Sequence, residues 1–276
     1  MALLEKRVAA RLGFDRVEPV TGQTYSRKFD AQVMACLANI AAGAHKYAND
    51  IRLLAGLKEI EEPFESSQVG SSAMAYKRNP MRCERMTGLA RYVIAVCGSM
   101  YQTAAEQWLE RTLDDSAHKR LAVPEAFLAT DGILRIALDV SRGLVVYPQV
   151  IRARVEAELP FMATEEILMA ATASRPAVRG RKARQMTGDR QALHERIRKH
   201  AQASAAEVKL HGRPNDLLAR LAADPAFSGL DLARALDPHR FVGLAPRQVD
   251  DFLAATVRPM IRKYKKVKKL SSDLAV

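Results

Sequence analysis

Ten apolar positions, Val33, Met34, Leu37, Ile40, Ala41, Ala44, Tyr47, Ala48, Ile51 and Leu54, recur at three- and four-residue spacing through a stretch that holds no proline. Only a helix places such a series on one side, so the spacing predicts one long helix with a single buried stripe. Asp30 is the expected cap, and Pro63 lies beyond the end. Ala38, Ala41, Ala42, Gly43 and Ala44 let a second helix approach closely, which favours a bundle. Further helices are expected at about 83–107, 116–142, 149–158, 163–173, 189–210, 214–222 and 246–263, with a kink or break at Pro124. Strand signals are poor throughout. The fold class is therefore mainly α: a bundle of long helices over 1–143, a smaller all-α domain over 144–263, and a basic tail over 264–276. The change to shorter, proline-punctuated helices comes at Tyr147-Pro148, and 174–188 reads as a loop.

With 276 residues the chain can bury a sizeable core, and its charge of +12 invites an acidic partner. That excess is local. Five cations without an acid lie between Arg175 and Arg184, and seven between Arg258 and Lys269, which together equal the whole formal excess. The body of the protein is thus balanced. A nucleic-acid-binding reading of the two tracts ranks low, since Tyr264 is the only aromatic residue inside the second tract. Cys36, Cys83 and Cys97 have no metal-ligand spacing and do not suit a disulfide framework, so no metal is expected and a reducing, cytoplasmic setting is. Glu5, Lys6, Arg7 and Arg11 interrupt any signal-peptide core. The uncharged stretch from Ala31 to Ala44 is too short for a bilayer span, which takes roughly 20 residues, and no membrane partner is expected.

The segment Gly70-Ser71-Ser72-Ala73-Met74-Ala75-Tyr76-Lys77-Arg78-Asn79-Pro80-Met81-Arg82 combines two hydroxyls behind a glycine with a cluster of cations and an amide. Such equipment handles an anion, and it suits proton abstraction beside a carboxylate, where developing charge needs fixed donors and cations. The segment resembles the signature loop of the fumarase/aspartase superfamily of lyases. Within that superfamily, three stretches in order are similar to the adenylosuccinate lyase family: Thr21 to Lys28, Tyr76 to Arg85, and Gln107 to Ala117. The likeness continues through Gly143 to Pro148 and Glu158 to Glu165, and fades toward the end. Gln107 through Ser116 argues against fumarase, aspartase and argininosuccinate lyase.

The resemblance implies a β-elimination that splits a C–N bond and releases fumarate from a succinyl-amino purine nucleotide or its imidazole-carboxamide precursor, without a cofactor. It assigns Ser71 as catalytic base and Lys77 as a helper that favours its ionisation. Adjacent hydroxyls cannot be ranked from sequence, so Ser72 is a rival base. Gln23 and Arg85 match substrate-binding positions, and Arg111, Ser116 and Arg120 match positions that grip the nucleotide, where the planar arginine fork suits a phosphate. Asn79 is assigned to the succinyl carboxylate. Read without the family, each arginine is a surface ion pair, and Asp114-Asp115 beside Arg111 would satisfy it.

Family members are much longer, and their N-terminal region supplies the general-acid histidine. Here none of the six histidines lies in a matching motif. His118 stands where the family more often has asparagine and reads as a phosphate contact or, ranked higher, as a neighbour of acidic side chains. Ala75 replaces a usual proline, and Cys83 a common serine. The expectation is a homo-oligomer, the family's tetramer, or a chain that needs a complementary N-terminal lyase chain. The alternative is a catalytically silent module that only assembles.

Overall fold

The computed structural model describes residues 2–65, 73, 74, 76–109, 111–173 and 190–267, and they form two compact units that meet in sequence at Tyr147 and Pro148. The expected loop at 174–188 and the end of the tail lie outside the described residues.

The first unit contains α1 (Ala2–Leu12), α2 (Lys28–Gly56), β1 (Ile60–Glu61), α3 (Met81–Ala105), α4 (Asp114–Gly143) and β2 (Val145–Val146). α2, α3 and α4 pack as an up-down-up bundle. Met34, Leu37, Ala41, Ala48 and Ile51 of α2 face Met86, Ala90, Val93 and Met100 of α3, with Ala126, Ile133 and Val140 of α4 closing the core. Alternation of alanine with long side chains brings the helices close while Met86 and Ile133 fill the space between them, each burial contributing about 1.5–3 kcal/mol. The stripe foreseen for α2 is only partly buried. Val33 and Ile40 remain 43% and 42% exposed, because the apolar face is wider than the seam with α3 and α4. Asp30 is not the cap: the helix starts at Lys28, so Asp30 falls inside its first turn and accepts a hydrogen bond from the Tyr25 hydroxyl at 2.7 Å. Pro124 does not break α4, which is continuous from Asp114 to Gly143. α1 was not foreseen, and it buries none of its residues.

At one end of the bundle, β1 and β2 form an antiparallel two-residue ribbon that pairs Ile60 with Val146 and Glu61 with Val145. Beside it, buried Glu62 accepts from the backbone N–H groups of Arg82 at 2.8 Å and Cys83 at 3.0 Å. Those are among the first N–H groups of α3, which have no partner inside the helix, and a carboxylate there also suits the helix dipole. Burial, then the Glu62 charge, pushes the Cys83 thiol up to about 12. At pH 8 the thiolate fraction is then on the order of one in ten thousand. Cys83 should resist a thiol reagent in the native protein and react on unfolding; labelling of Cys83 at native pH 8, mapped by mass spectrometry, would contradict this.

Gly143 closes α4 against Pro63. A Cβ there would stand 2.6 Å from the Pro63 Cβ, and that ring is held because the Arg82 guanidinium donates to the Pro63 carbonyl. Gly143→Ala is expected to cost about 1–3 kcal/mol. Gly88→Ala within α3, where nothing lies within 4 Å, should gain about 0.5–1 kcal/mol. Urea unfolding of the two variants reads both signs, and equal midpoints would remove the argument.

The second unit holds α5 (Pro148–Met162), α6 (Thr164–Ala173), α7 (Arg190–His211), α8 (Leu217–Ala223) and shorter turns, around a core of Ile167, Leu168, Leu193, Ile197, Leu217, Leu221 and Phe227. Asp224 caps the 3-10 turn Pro225–Phe227, accepting from the Ala226 N–H at 2.9 Å and from Arg196 at 3.0 Å, with His200 Nε2 at 2.9 Å. Burial alone would raise its pKa; these partners outweigh that and hold it below the usual carboxylate range. The helix expected over 246–263 is wound in three pieces: α9 (Leu232–Ala235) and a 3-10 turn precede α10 (Ala245–Phe252), then a π-helical turn (Leu253–Val257), then α11 (Arg258–Lys263).

Candidate active site

The residues singled out from sequence fall into two groups at opposite ends of α3. Near its start lie Lys77, Asn79 and Arg85. Lys77 is exposed, and its backbone N–H donates to the Met74 carbonyl at 3.0 Å. Asn79 is half-buried and its carbonyl accepts from the Met81 N–H at 2.8 Å. Arg85 is exposed on the second turn of α3 and has no ion pair among the described residues. Between Lys77 and Asn79, Arg78 is fixed by Glu61 of β1 at 3.2 Å and stacks over Phe64 at 4.9 Å. The Tyr147 hydroxyl donates to the same Glu61 at 2.7 Å, which raises the Tyr147 pKa. Ser71 and Ser72 lie outside the described residues.

At the other end of α3 lie Gln23, Arg111, Ser116 and Arg120. Here the first and third matching stretches are joined by one side chain. Gln107 accepts from the Arg27 backbone N–H at 2.9 Å and donates to the Tyr25 carbonyl at 3.2 Å and the Thr24 hydroxyl at 3.4 Å. Gln23 sits beside this tie, exposed. A buried ion pair between Arg27 and Asp115 locks the start of α2 to the start of α4. Tyr25 lies between two cations, Arg27 at 4.7 Å and Lys119 at 5.1 Å from its ring centre. On the first two turns of α4, Arg120 donates to the Ser116 hydroxyl and to the Ser116 carbonyl at 3.2 Å.

Asp114-Asp115 does not satisfy Arg111, as the sequence suggested. Asp115 is taken by Arg27, while Asp114 accepts from the Thr112 hydroxyl and the Asp115 N–H. Half-buried Arg111 therefore has no ion pair among the described residues, and its fork is available to an anion. His118 makes no ion pair among the described residues either: its Nδ1 lies 2.9 Å from the Thr103 hydroxyl of α3. The roles of Gln107, Glu61 and Glu62 were not foreseen, since each acts on residues far away in sequence and no local pattern marks it. Among the described residues, no cluster of histidine, cysteine, aspartate and glutamate could hold a metal ion, and no helix is long and apolar enough to cross a membrane.

α3 has 25 residues, so its length of about 37 Å separates the two groups within one chain. Each set carries cations that reach solvent, Lys77 and Arg85 at one end and Arg111 and Arg120 at the other.

Residues 3–95 match a family described as lyase, and residues 160–252 match one described as adenylosuccinate lyase C-terminus. Adenylosuccinate lyase of Saccharomyces cerevisiae is 51% identical over 95% of this chain, and that of Schizosaccharomyces pombe 48% over 99%. The chain belongs to the adenylosuccinate lyase family. It spans about half the length of these relatives, 52% and 55% respectively. Adenylosuccinate lyase of Schistosoma mansoni matches in the same way, at 44% identity over 99% of the chain and 55% of the relative. The fold is that of the wider superfamily. A 3-carboxy-cis,cis-muconate lactonizing enzyme from Pseudomonas putida superimposes with a TM-score of 0.68 at 22% identity, covering 87% of this chain and 49% of that one. A fumarate lyase from Mesorhizobium gives 0.66 at 22%, covering 91% and 52%.

Proposed function

We propose that this chain carries adenylosuccinate lyase chemistry: β-elimination of fumarate from adenylosuccinate and from the related succinyl-amino imidazole-carboxamide nucleotide of purine biosynthesis. The observation that carries the reading is the pairing of two anion-handling groups, one on each end of α3, with close relatives named for that enzyme. Ser71 removes the proton from the carbon beside a succinyl carboxylate, and Lys77 favours the ionised hydroxyl. Asn79 and Arg85 hold the succinyl end. As the C–N bond breaks, its electron pair leaves with the nucleotide nitrogen, which takes up a proton, and a double bond forms in fumarate. Arg111, Ser116 and Arg120 grip the nucleotide phosphate, with Gln23 beside them.

Because about 37 Å lies between the groups, a working site takes one group from each of two chains. Exposed Phe127, Leu128 and Leu134 on α4 offer apolar surface for that assembly. The partner is then a second copy of the chain, a complementary N-terminal lyase chain, or both. No cofactor is required for an elimination driven by a positioned base and fixed cations.

The test is cleavage of adenylosuccinate to AMP and fumarate by the purified chain, alone and with a separately expressed N-terminal half of a relative, beside a Ser71→Ala control. Activity that disappears with Ser71 is the expected result. A folded chain, by circular dichroism, that is inactive in both mixtures would leave only an assembly role.

A further inference from the structure

From 245 to 263 the second unit ends in a helical rod of which no residue is buried. Its apolar side chains are Val249, Phe252, Leu253, Val257, Met260 and Ile261. Val249, Phe252, Met260 and Ile261 are 57–64% exposed. Wound as α-helix throughout, the six would spread over about half of the circumference at 100° per residue. The π-helical turn at Leu253–Val257 changes this. At about 4.4 residues per turn it rotates Val257 and everything after it back, so all six fall within roughly a third of the circumference. The turn converts a diffuse pattern into one narrow apolar stripe.

Cations outnumber acids along the segment. Between 245 and 266 there are six, Arg247, Arg258, Arg262, Lys263, Lys265 and Lys266, against two acids, Asp250 and Asp251. This charge favours an anionic cover for the stripe. Pairing with the same helix of a second copy would bring two net-positive rods together. A nucleic acid would use the cations and leave the stripe in water. An anionic lipid surface uses both: the stripe enters the interface while every cation on the polar face feels the surface charge, which acts over a Debye length of about 8–10 Å.

We propose that residues 245–266 form a peripheral anchor that lies in the plane of an anionic membrane surface, apolar stripe inward. Spanning is not involved, because the segment carries too many charges. The anchor is independent of the lyase reading and needs no activity to test.

The experiment is co-sedimentation of the full chain with vesicles of phosphatidylcholine alone and of phosphatidylcholine mixed with phosphatidylserine. Two variants accompany it, Phe252→Ser with Ile261→Ser, and Arg262→Glu with Lys266→Glu. All four residues are exposed, so folding should persist, and circular dichroism checks this. Binding to the anionic vesicles only is expected, weakened at least about tenfold by the stripe variant and about thirtyfold or more by the charge variant. Equal binding to both vesicle types, no binding to either, or binding untouched by the stripe variant would each overturn the anchor. In the second case, a stripe variant that alters the sedimentation coefficient would assign the stripe to a protein contact instead.

Discussion

Chains carrying Lys77→Ala and chains carrying Arg120→Ala, each expected to lose about 10²–10³-fold in turnover, should regain activity when they are unfolded and refolded together. Lys77 precedes α3, whereas Arg120 lies on α4 beyond the other end of α3. A site that needs both must draw them from different chains. In a random mixture of equal parts, about a quarter of such two-chain sites receive Lys77 from one parent and Arg120 from the other. Recovery toward a quarter of the unmodified activity, measured with the complementary half present, is therefore the signature of a shared site. A mixture no more active than its parents would mean that the two groups do not serve one site. Lys77→Ala mixed with Arg85→Ala is the control, since both come from the same end and must fail together.

Asp115→Ala should destabilise the first unit by about 3–5 kcal/mol, the cost of leaving a buried charge without its partner. The Arg27 side chain is only 6% exposed, and its other acid, Asp30, lies at 3.9 Å. Replacing both partners, as in Arg27→Met with Asp115→Leu, should recover most of the loss, because an apolar pair of similar volume needs no compensation. Urea unfolding of the single and double variants measures the difference. A single-variant loss under about 1 kcal/mol would mean that water already reaches the pair and screens it. The Gln107 tie to Thr24, Tyr25 and Arg27 begins at the same place, so the variant should also loosen the Gln23 segment.

The long helices were legible in the sequence because an apolar period over many residues has one structural solution. Which part of that period is core was not. Val33 and Ile40 are as apolar as Leu37 and Ile51, yet the first two face outward, since the period marks an apolar helix face and not which part of that face is packed. Asp30 misled for a local reason: it has the chemistry of a cap, but Tyr25 and Lys119 hold it inside the turn. Pro124 lies in the second half of the third turn of α4, and the helix runs through it unbroken. The candidate site residues were named through three stretches of ordered resemblance. Their separation into two groups follows only from the path of α3, and the side chains that fix each group, Gln107 and Glu61, act across 80 and 17 residues of chain.

The buried Glu62 carboxylate gives α3 a start that its own sequence does not supply. Pro80 offers no side-chain hydrogen bond to the first turn, so the acceptor comes from the segment that follows the ribbon. The beginning of α3 can therefore be no more durable than the docking of that ribbon. Amide hydrogen exchange at Arg82 and Cys83 should proceed at the rate at which residues 60–62 detach. The middle of the same helix, around Val93, should exchange only when the whole bundle opens.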